Sequence, residues 1–194
     1  ALVVVHLYGL PADMRRFTAL ADSYDLRLIE DAAQAHGATV DGQRVGSMGD
    51  AAAFSFYPTK NMTTGEGGMV TSDDPAVAER ARRFVDHGRT EGYTHTSVGY
   101  NFRMTSIAAA IGAVQLARLP QFTERRRENA AYLSDALADS GVSVPQVPAD
   151  RTHVYHQYTI RSERRDALRT HLADCGVGTG VYYPLCIHQQ PAYA

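Results

Sequence analysis

Apolar and polar positions change period in a regular order along the first half of this chain. Residues 2–7 form a short apolar run closed by Tyr8-Gly9-Leu10-Pro11, the pattern of a buried strand followed by a turn. Over 11–24, Met14, Phe17, Leu20 and Ala21 fall at spacings of three and four, which predicts a helix with one apolar face. Residues 26–31 predict a second strand that ends in acid, at Glu30 and Asp31. Residues 51–56 predict a third strand and Gly68-Met69-Val70-Thr71 a fourth, and helical spacing returns over 75–84. This strand and helix rhythm predicts an α/β sheet covered by helices. In such sheets ligands lie beyond the carboxyl ends of the strands, where Asp31 and the segment from Ser55 to Lys60 fall.

The pattern loosens afterwards. Residues 87–99 read as a loop rich in Gly, His and Thr. Residues 105–119 read as a helix carrying Ala108, Ala109, Ala110 and Gly112, and Pro120 breaks it. A charged helix then runs to about 140, with Arg125-Arg126-Arg127 expected on a solvated face. From Val142 the chain predicts a strand over 154–160, a helix over 163–175, and a Gly-rich segment from Gly176 to Gly180. A domain boundary is expected near Leu119, with a smaller α+β unit over 120–194. There is no internal repeat.

Composition narrows the class. A hydrophobic share of 44% and a charged share of 21% describe a globular protein with a core to bury. The formal charge of −2 gives no sign of a nucleic-acid or anionic-membrane partner. Cys175 and Cys186 lack metal-ligand spacing and point to a reduced, cytoplasmic chain with no metal centre. No stretch is long and apolar enough to span a membrane, and the opening lacks the form of a signal peptide. A chain that begins inside a core strand reads as cut from something longer.

The chain has one lysine, Lys60, among eighteen arginines. Arginine stays protonated, whereas a desolvated lysine can lose its proton and condense with a carbonyl. The other reading of Lys60 is a leftover surface residue. Pyridoxal phosphate requires such an amine, a carboxylate for its ring nitrogen, and hydroxyl or amide donors for its phosphate. Lys60 supplies the amine, Asp31 at the end of an apolar strand the carboxylate, and Ser55 a hydroxyl five positions before the lysine. Each has a plainer reading: Asp31 caps the segment after its strand, Ser55 satisfies a backbone group, and Gly65, Gly67 and Gly68 permit tight turning.

Three blocks carry a resemblance: Glu30-Asp31-Ala32-Ala33-Gln34-Ala35-His36-Gly37, Phe54-Ser55-Phe56-Tyr57-Pro58-Thr59-Lys60-Asn61 with Gly65-Glu66-Gly67-Gly68, and Gly99-Tyr100-Asn101-Phe102-Arg103-Met104. In order and spacing they resemble the DegT/DnrJ/StrS family of pyridoxal-phosphate-dependent aminotransferases of nucleotide-linked keto-sugars. The resemblance implies a fold-type I transferase of the aspartate aminotransferase kind. Residues 1–119 would be part of its cofactor-binding large domain, with a mixed, mostly parallel sheet, and 120–194 an incomplete small domain. It implies that Lys60 is the Schiff-base lysine, Asp31 the partner of the ring nitrogen, Gln34 a neighbour of the ring and Ser55 a phosphate ligand. Asn101 is implied to reach the phosphate held by a second subunit, so that a homodimer shares its active sites. The amino donor is implied to be glutamate or glutamine. A dehydrating branch of the family carries histidine in place of the lysine, so Lys60 favours transamination. Members also carry a preceding domain that helps bind the phosphate and ring, so an inactive fragment is one alternative expectation and a non-catalytic regulator another. His36 and His188 border the expected cleft, where structural hydrogen bonding is the plainer role, and His6 reads as a satisfied strand-end residue.

Overall fold

The computed structural model describes residues 1–193. The apolar run at the start forms β1 (Leu2–Val5), and the helical spacing after it forms α1 (Met14–Ser23). The Asp13 side chain accepts a hydrogen bond from the Arg16 N–H, satisfying one of the donors that a helix start leaves open. The chain returns along β2 (Leu28–Asp31), parallel to β1, with Val5 opposite Asp31. Met14 and Ala21 bury against Val4, Leu28 and Val40, so the apolar stripe of α1 is the face that covers the sheet.

Two short antiparallel strands follow, β3 (Thr39–Val40) and β4 (Gln43–Arg44). The chain then runs through β5 (Ala51–Ser55), parallel to β2, and back along β6 (Gly68–Thr71), antiparallel to β5. The order β1-β2-β5-β6 makes three parallel strands with one antiparallel edge, a mixed and mostly parallel sheet. Glu30 ties the end of β1 to the loop before β5 from inside. Its carboxylate has no exposed surface and accepts four N–H donors: His6 Nε2 at 3.0 Å and the amides of Gly46, Met48 and Gly49 at 2.8, 2.8 and 2.7 Å. The other nitrogen of His6, Nδ1, accepts from the Ala12 N–H at 3.1 Å, so this histidine is satisfied at the end of β1 as expected. Burial pushes the Glu30 pKa up, but the His6 and backbone bonds outweigh it and leave the group below its ordinary value.

α2 (Pro75–Val85) starts at Asp74, whose side chain accepts from the Ala76 N–H, with proline in the first turn. The segment expected as a loop contains a small hairpin, β7 (Arg89–Glu91) and β8 (Thr94–His95). α3 (Ser106–Ala136) is one helix of 31 residues with Pro120 inside it. It therefore runs unbroken through the position where the sequence places a break and a boundary. An interior proline costs about 3 kcal/mol, and contacts on both sides of Pro120 hold the helix against that cost. Leu119 packs with Phe56 and Met62, Arg126 Nη1 donates to the Tyr155 carbonyl at 3.0 Å, and the hydroxyls of Ser134 and Tyr158 bond at 3.0 Å. Arg126 is thus half-buried rather than solvated like its neighbours.

The strand predicted over 154–160 lies earlier and is shorter: β9 (Arg151–Thr152) pairs antiparallel with β3. α4 (Arg165–Asp174) lies within the predicted helix. By backbone contacts the chain divides into two units. One comprises Ala1–Ala136 with Pro145–Thr159 and holds every sheet together with α1, α2 and α3. The other comprises Leu137–Val144 with residues 160–193 and holds α4 and the short turns Ile187–Gln189 and Pro191–Tyr193. Both cysteines are exposed free thiols. Among the described residues no helix is long and apolar enough to cross a membrane.

Candidate active site

The carboxyl ends of β2 and β5 lie side by side, because Asp31 pairs across the ladder with Ala53, two residues before Ser55. That register brings a carboxylate and a hydroxyl to one edge of the sheet. Asp31 Oδ1 accepts from the Ala33 N–H at 3.0 Å, so its capping role is real and coexists with its place at the strand end. Ser55 Oγ accepts from the Tyr57 N–H at 3.3 Å, which likewise realises its plainer reading.

Lys60 stands in the loop that joins β5 to β6, and the loop is closed by its own backbone. The Phe56 N–H donates to the Gly67 carbonyl at 2.9 Å, the Thr64 N–H to the Phe56 carbonyl at 3.0 Å, and the Lys60 N–H to the Tyr57 carbonyl at 3.0 Å. Gly67 is required here: its φ is +150°, and an added Cβ would stand 2.6 Å from Thr64 Oγ1. The loop packs inward through Phe56 and Met62, both buried against Leu119. Lys60 is half-buried and the next residue, Asn61, is buried, donating from Nδ2 to the Val154 carbonyl at 2.8 Å.

That last bond belongs to a wall the sequence does not reveal. Residues 153–157 run without a ladder partner and are held one bond at a time. The Val154 N–H donates to the Gly9 carbonyl and the Gln157 N–H to the Tyr8 carbonyl, at 3.0 and 3.2 Å. Arg126 holds the Tyr155 carbonyl from outside. Gly9 lets this wall approach: its φ is +99°, and a Cβ there would meet the His156 nitrogen at 2.9 Å and the Gln34 carbonyl at 3.1 Å. Gln34 is fixed in the same place, its Oε1 accepting from the Tyr8 N–H at 2.6 Å.

The Lys60 charge acts on two histidines, His36 and His156. His36 is 3% exposed, its ring 5.5 Å from that of Phe54 and 5.9 Å from that of Phe56, the residues that flank Ser55. Neither of its ring nitrogens has a hydrogen-bond partner, nor has Nδ1 of His156. Burial drives the His36 pKa down to about 4; the Ser55 backbone opposes this without reaching hydrogen-bonding geometry, and the Lys60 charge adds to it. His156 falls to about 4 through burial first, then the charges of Lys60 and Arg126 and the His36 ring. His153 falls to about 4 through burial, while its ring stacks on Tyr155 at 3.9 Å. At neutral pH all three rings are uncharged.

The fold therefore gathers Asp31, Gln34, Ser55 and Lys60 in one unit, on the β2 and β5 ends and the turns that follow them. Asn101 is placed by other contacts. It pairs by its backbone with Asp86, and its Oδ1 accepts from Arg103 Nε at 3.3 Å, with Arg103 Nη1 in turn 3.0 Å from Asp86 Oδ1. His188 lies exposed in the second unit, as do Tyr182 and Tyr183, whose rings meet edge to face. Asn61, His156 and the 153–157 wall were missed from sequence, because nothing local marks them; only bonds across some ninety to a hundred and fifty positions bring them here.

Comparison with known proteins points the same way. The sequence profile of the DegT/DnrJ/EryC1/StrS aminotransferase family matches residues 1–194. The chain is 45% identical to dTDP-3-amino-3,4,6-trideoxy-alpha-D-glucose transaminase of Streptomyces venezuelae, over all of this chain and 52% of that protein. It is also 45% identical to a protein of Geobacillus stearothermophilus named pleiotropic regulatory protein, over all of this chain and 53% of that one. The crystal structure of DesV from S. venezuelae superposes with a TM-score of 0.95 at 44% identity, covering 99% of this chain and 52% of that one. The chain spans about half the length of the curated relatives it matches.

Proposed function

Because this chain belongs to the DegT/DnrJ/EryC1/StrS aminotransferase family, we propose that it forms the lysine-bearing part of an enzyme that transfers an amino group to a nucleotide-linked keto-sugar. The amino donor in this reading is glutamate or glutamine. The observation that carries it is the convergence of Asp31 and Ser55 on adjacent strand ends, with the chain's one lysine half-buried in the loop that follows Ser55.

The family depends on pyridoxal phosphate, which when bound supplies an electron sink for the carbanion formed at the substrate carbon. The donors present fit that group: an amine, a carboxylate, an amide and a hydroxyl at one sheet edge, beside buried nitrogens that lack partners. Lys60 would hold the cofactor covalently and, once released, its Nζ would take a proton from the α-carbon of the donor and deliver it to the cofactor carbon that the amine had held. Asp31 would accept the N–H of the protonated ring nitrogen, keeping that proton in place. Ser55 Oγ would donate to the phosphate and Gln34 would fix the ring edge.

In this reading Asn101 acts on the site of a second copy, which agrees with its being held by Asp86 and Arg103 at an exposed position. A regulatory role is the second reading, favoured by the name of the G. stearothermophilus relative. The retained set of Lys60, Asp31 and Ser55 weighs against it, since binding alone does not need a nucleophilic amine.

The test is covalent capture. The protein is mixed with pyridoxal phosphate, reduced with borohydride and digested, and the modified peptide is identified by mass. Label on the peptide holding Lys60, abolished in Lys60→Ala, is the expected result. Absorbance and label unaffected by that substitution would refute the assignment.

A further inference from the structure

We propose that Arg103, anchored by Asp86, orients the Asn101 amide, turning its Nδ2 outward as a donor for the phosphate of the cofactor held by a second copy of this chain. This role rests on the reading of Asn101 as a residue that acts on a second copy's site. The backbone around Asn101 is fixed first. The Tyr100 N–H donates to the Phe84 carbonyl at 2.7 Å, the Phe102 N–H to the Val85 carbonyl at 3.1 Å, and the His87 N–H to the Tyr100 carbonyl at 3.0 Å. The rings of Tyr100 and Phe102 stack at 5.0 Å, and both meet Phe84 at the end of α2, at 5.1 and 6.3 Å. Asn101 lies between them, paired antiparallel with Asp86, where extended backbone sends its side chain to the opposite side from the two rings. It is exposed there.

A clamped backbone still leaves the amide free to turn, and Arg103 removes that freedom. Its Nε donates to Asn101 Oδ1 at 3.3 Å. Arginine has donors only, so the amide atom that faces it is the oxygen, and Nδ2 with its two N–H bonds is turned away. Arg103 is held in its turn by Asp86, whose Oδ1 stands 3.0 Å from Arg103 Nη1 as an ion pair and whose Oδ2 accepts from Arg89 Nη2 at 2.7 Å. The Arg89 bond, with the charges of Arg89 and Arg103, holds the Asp86 carboxyl below its ordinary range. Ion pairs as exposed as these add little to stability; what this one fixes is direction. Two guanidiniums against one carboxylate also leave the cluster positive, which suits an approaching phosphate. Without Arg103 the amide is free to turn its oxygen outward, and an oxygen there repels phosphate oxygens. Arg103 and Asp86 are thus positioning residues that act through Asn101.

The chain holds three asparagines, so 15N-asparagine labelling gives three side-chain amides, and Asn101→Ala identifies the one that matters. Nitrogen relaxation in the cofactor-free chain is expected to give this amide an order parameter above about 0.6, the level below which a group is flexible. It falls below that level in Arg103→Met, which keeps an apolar stem and removes the donors, and recovers in part in Arg103→Lys. A flexible Asn101 amide in the unsubstituted chain overturns the proposal, as does an unchanged value in Arg103→Met. If Arg103→Met does not fold, Asp86→Asn decides by the same criterion, since it removes the charge that anchors Arg103. Absorbance titration with pyridoxal phosphate then separates this role from the reading of Asn101. Asn101→Ala is expected to weaken binding at least about tenfold, as loss of a hydrogen bond to a charged group does. The double variant with Arg103→Met binds no more weakly than Asn101→Ala alone, because one residue acts through the other. Additive losses refute the positioning role. A fixed amide with affinity unchanged in Asn101→Ala sinks the phosphate contact alone, and a flexible amide with weakened affinity sinks the role of Arg103 alone.

Discussion

Replacing Glu30 by glutamine removes no volume and one charge, yet the structure predicts a large loss of stability. The carboxylate is wholly buried, and each oxygen accepts two bonds: Oε2 from His6 Nε2 and the Gly46 amide, Oε1 from the amides of Met48 and Gly49. Glutamine keeps one acceptor oxygen and turns the other into a donor, so two of the four N–H groups face an N–H. His6 offers no escape by changing tautomer, since its Nδ1 already accepts from Ala12. Bonds to charged groups are worth about 1.5–3 kcal/mol each, so losing two predicts a cost of about 3–6 kcal/mol, a large share of a typical 5–15 kcal/mol total. Urea denaturation measures it as a lower midpoint at unchanged slope. A loss below about 1 kcal/mol would refute the reasoning, because it would mean that the 46–49 loop does not depend on this carboxylate.

Three further outcomes are expected. Gly9→Ala strains a φ of +99° and drives a methyl group against the His156 nitrogen and the Gln34 carbonyl; a loss of about 1–3 kcal/mol with weaker pyridoxal phosphate retention is expected by denaturation and absorbance titration. The folded pKa values of His36, His153 and His156 lie near 4, below their ordinary 6.5. The unfolded chain therefore binds more protons between about pH 6.5 and 4, and stability falls as pH drops through that window, by up to about 3 kcal/mol for fully buried His36 and less for half-buried His156. Glu30 acts in the same direction but below about pH 4.5, since its lowered pKa means stability lost as acid protonates it; a urea midpoint that is flat from pH 7 to 4 would contradict the histidine shifts. Asn101→Ala changes stability by less than about 0.5 kcal/mol, as exposed positions do. Under the proposed shared site, Asn101→Ala and Lys60→Ala are each impaired in transamination and co-refolding the two recovers activity; no recovery would count against a shared site.

The parts of this fold that were legible in the sequence are those whose pattern is local. β6 coincides with its apolar segment, and α1 and α2 lie where the helical spacing puts them, with Asp13 and Asp74 as caps. β3 and β4 are two residues each, too short for a period, though Asp41-Gly42 between them carries the signature of a tight hairpin turn, with φ of +50° and +82°. Pro120 misled because helix propensity is a local property and the contacts of Leu119, Arg126 and Ser134 are not. In the candidate site, Lys60 stands out in the sequence through amino-acid bias, and Asp31 and Ser55 through their places at strand ends. His36 was visible only as a histidine near the right motif, because its lack of partners is a fact of packing.

The wall formed by residues 153–157 has a consequence for how the molecule is made. The strands β1, β2, β5 and β6 all lie within the first 71 residues of this chain, whereas the bonds from Val154 to Gly9 and from Asn61 to Val154 wait for residues nearly a hundred and fifty and about ninety positions later. Contacts at such separation form late, after the loop between them has lost its freedom. In a nascent chain these strands therefore precede residues 153–157 by the synthesis of all of α3. The wall behind Asn61 is thus a late-forming part of this unit.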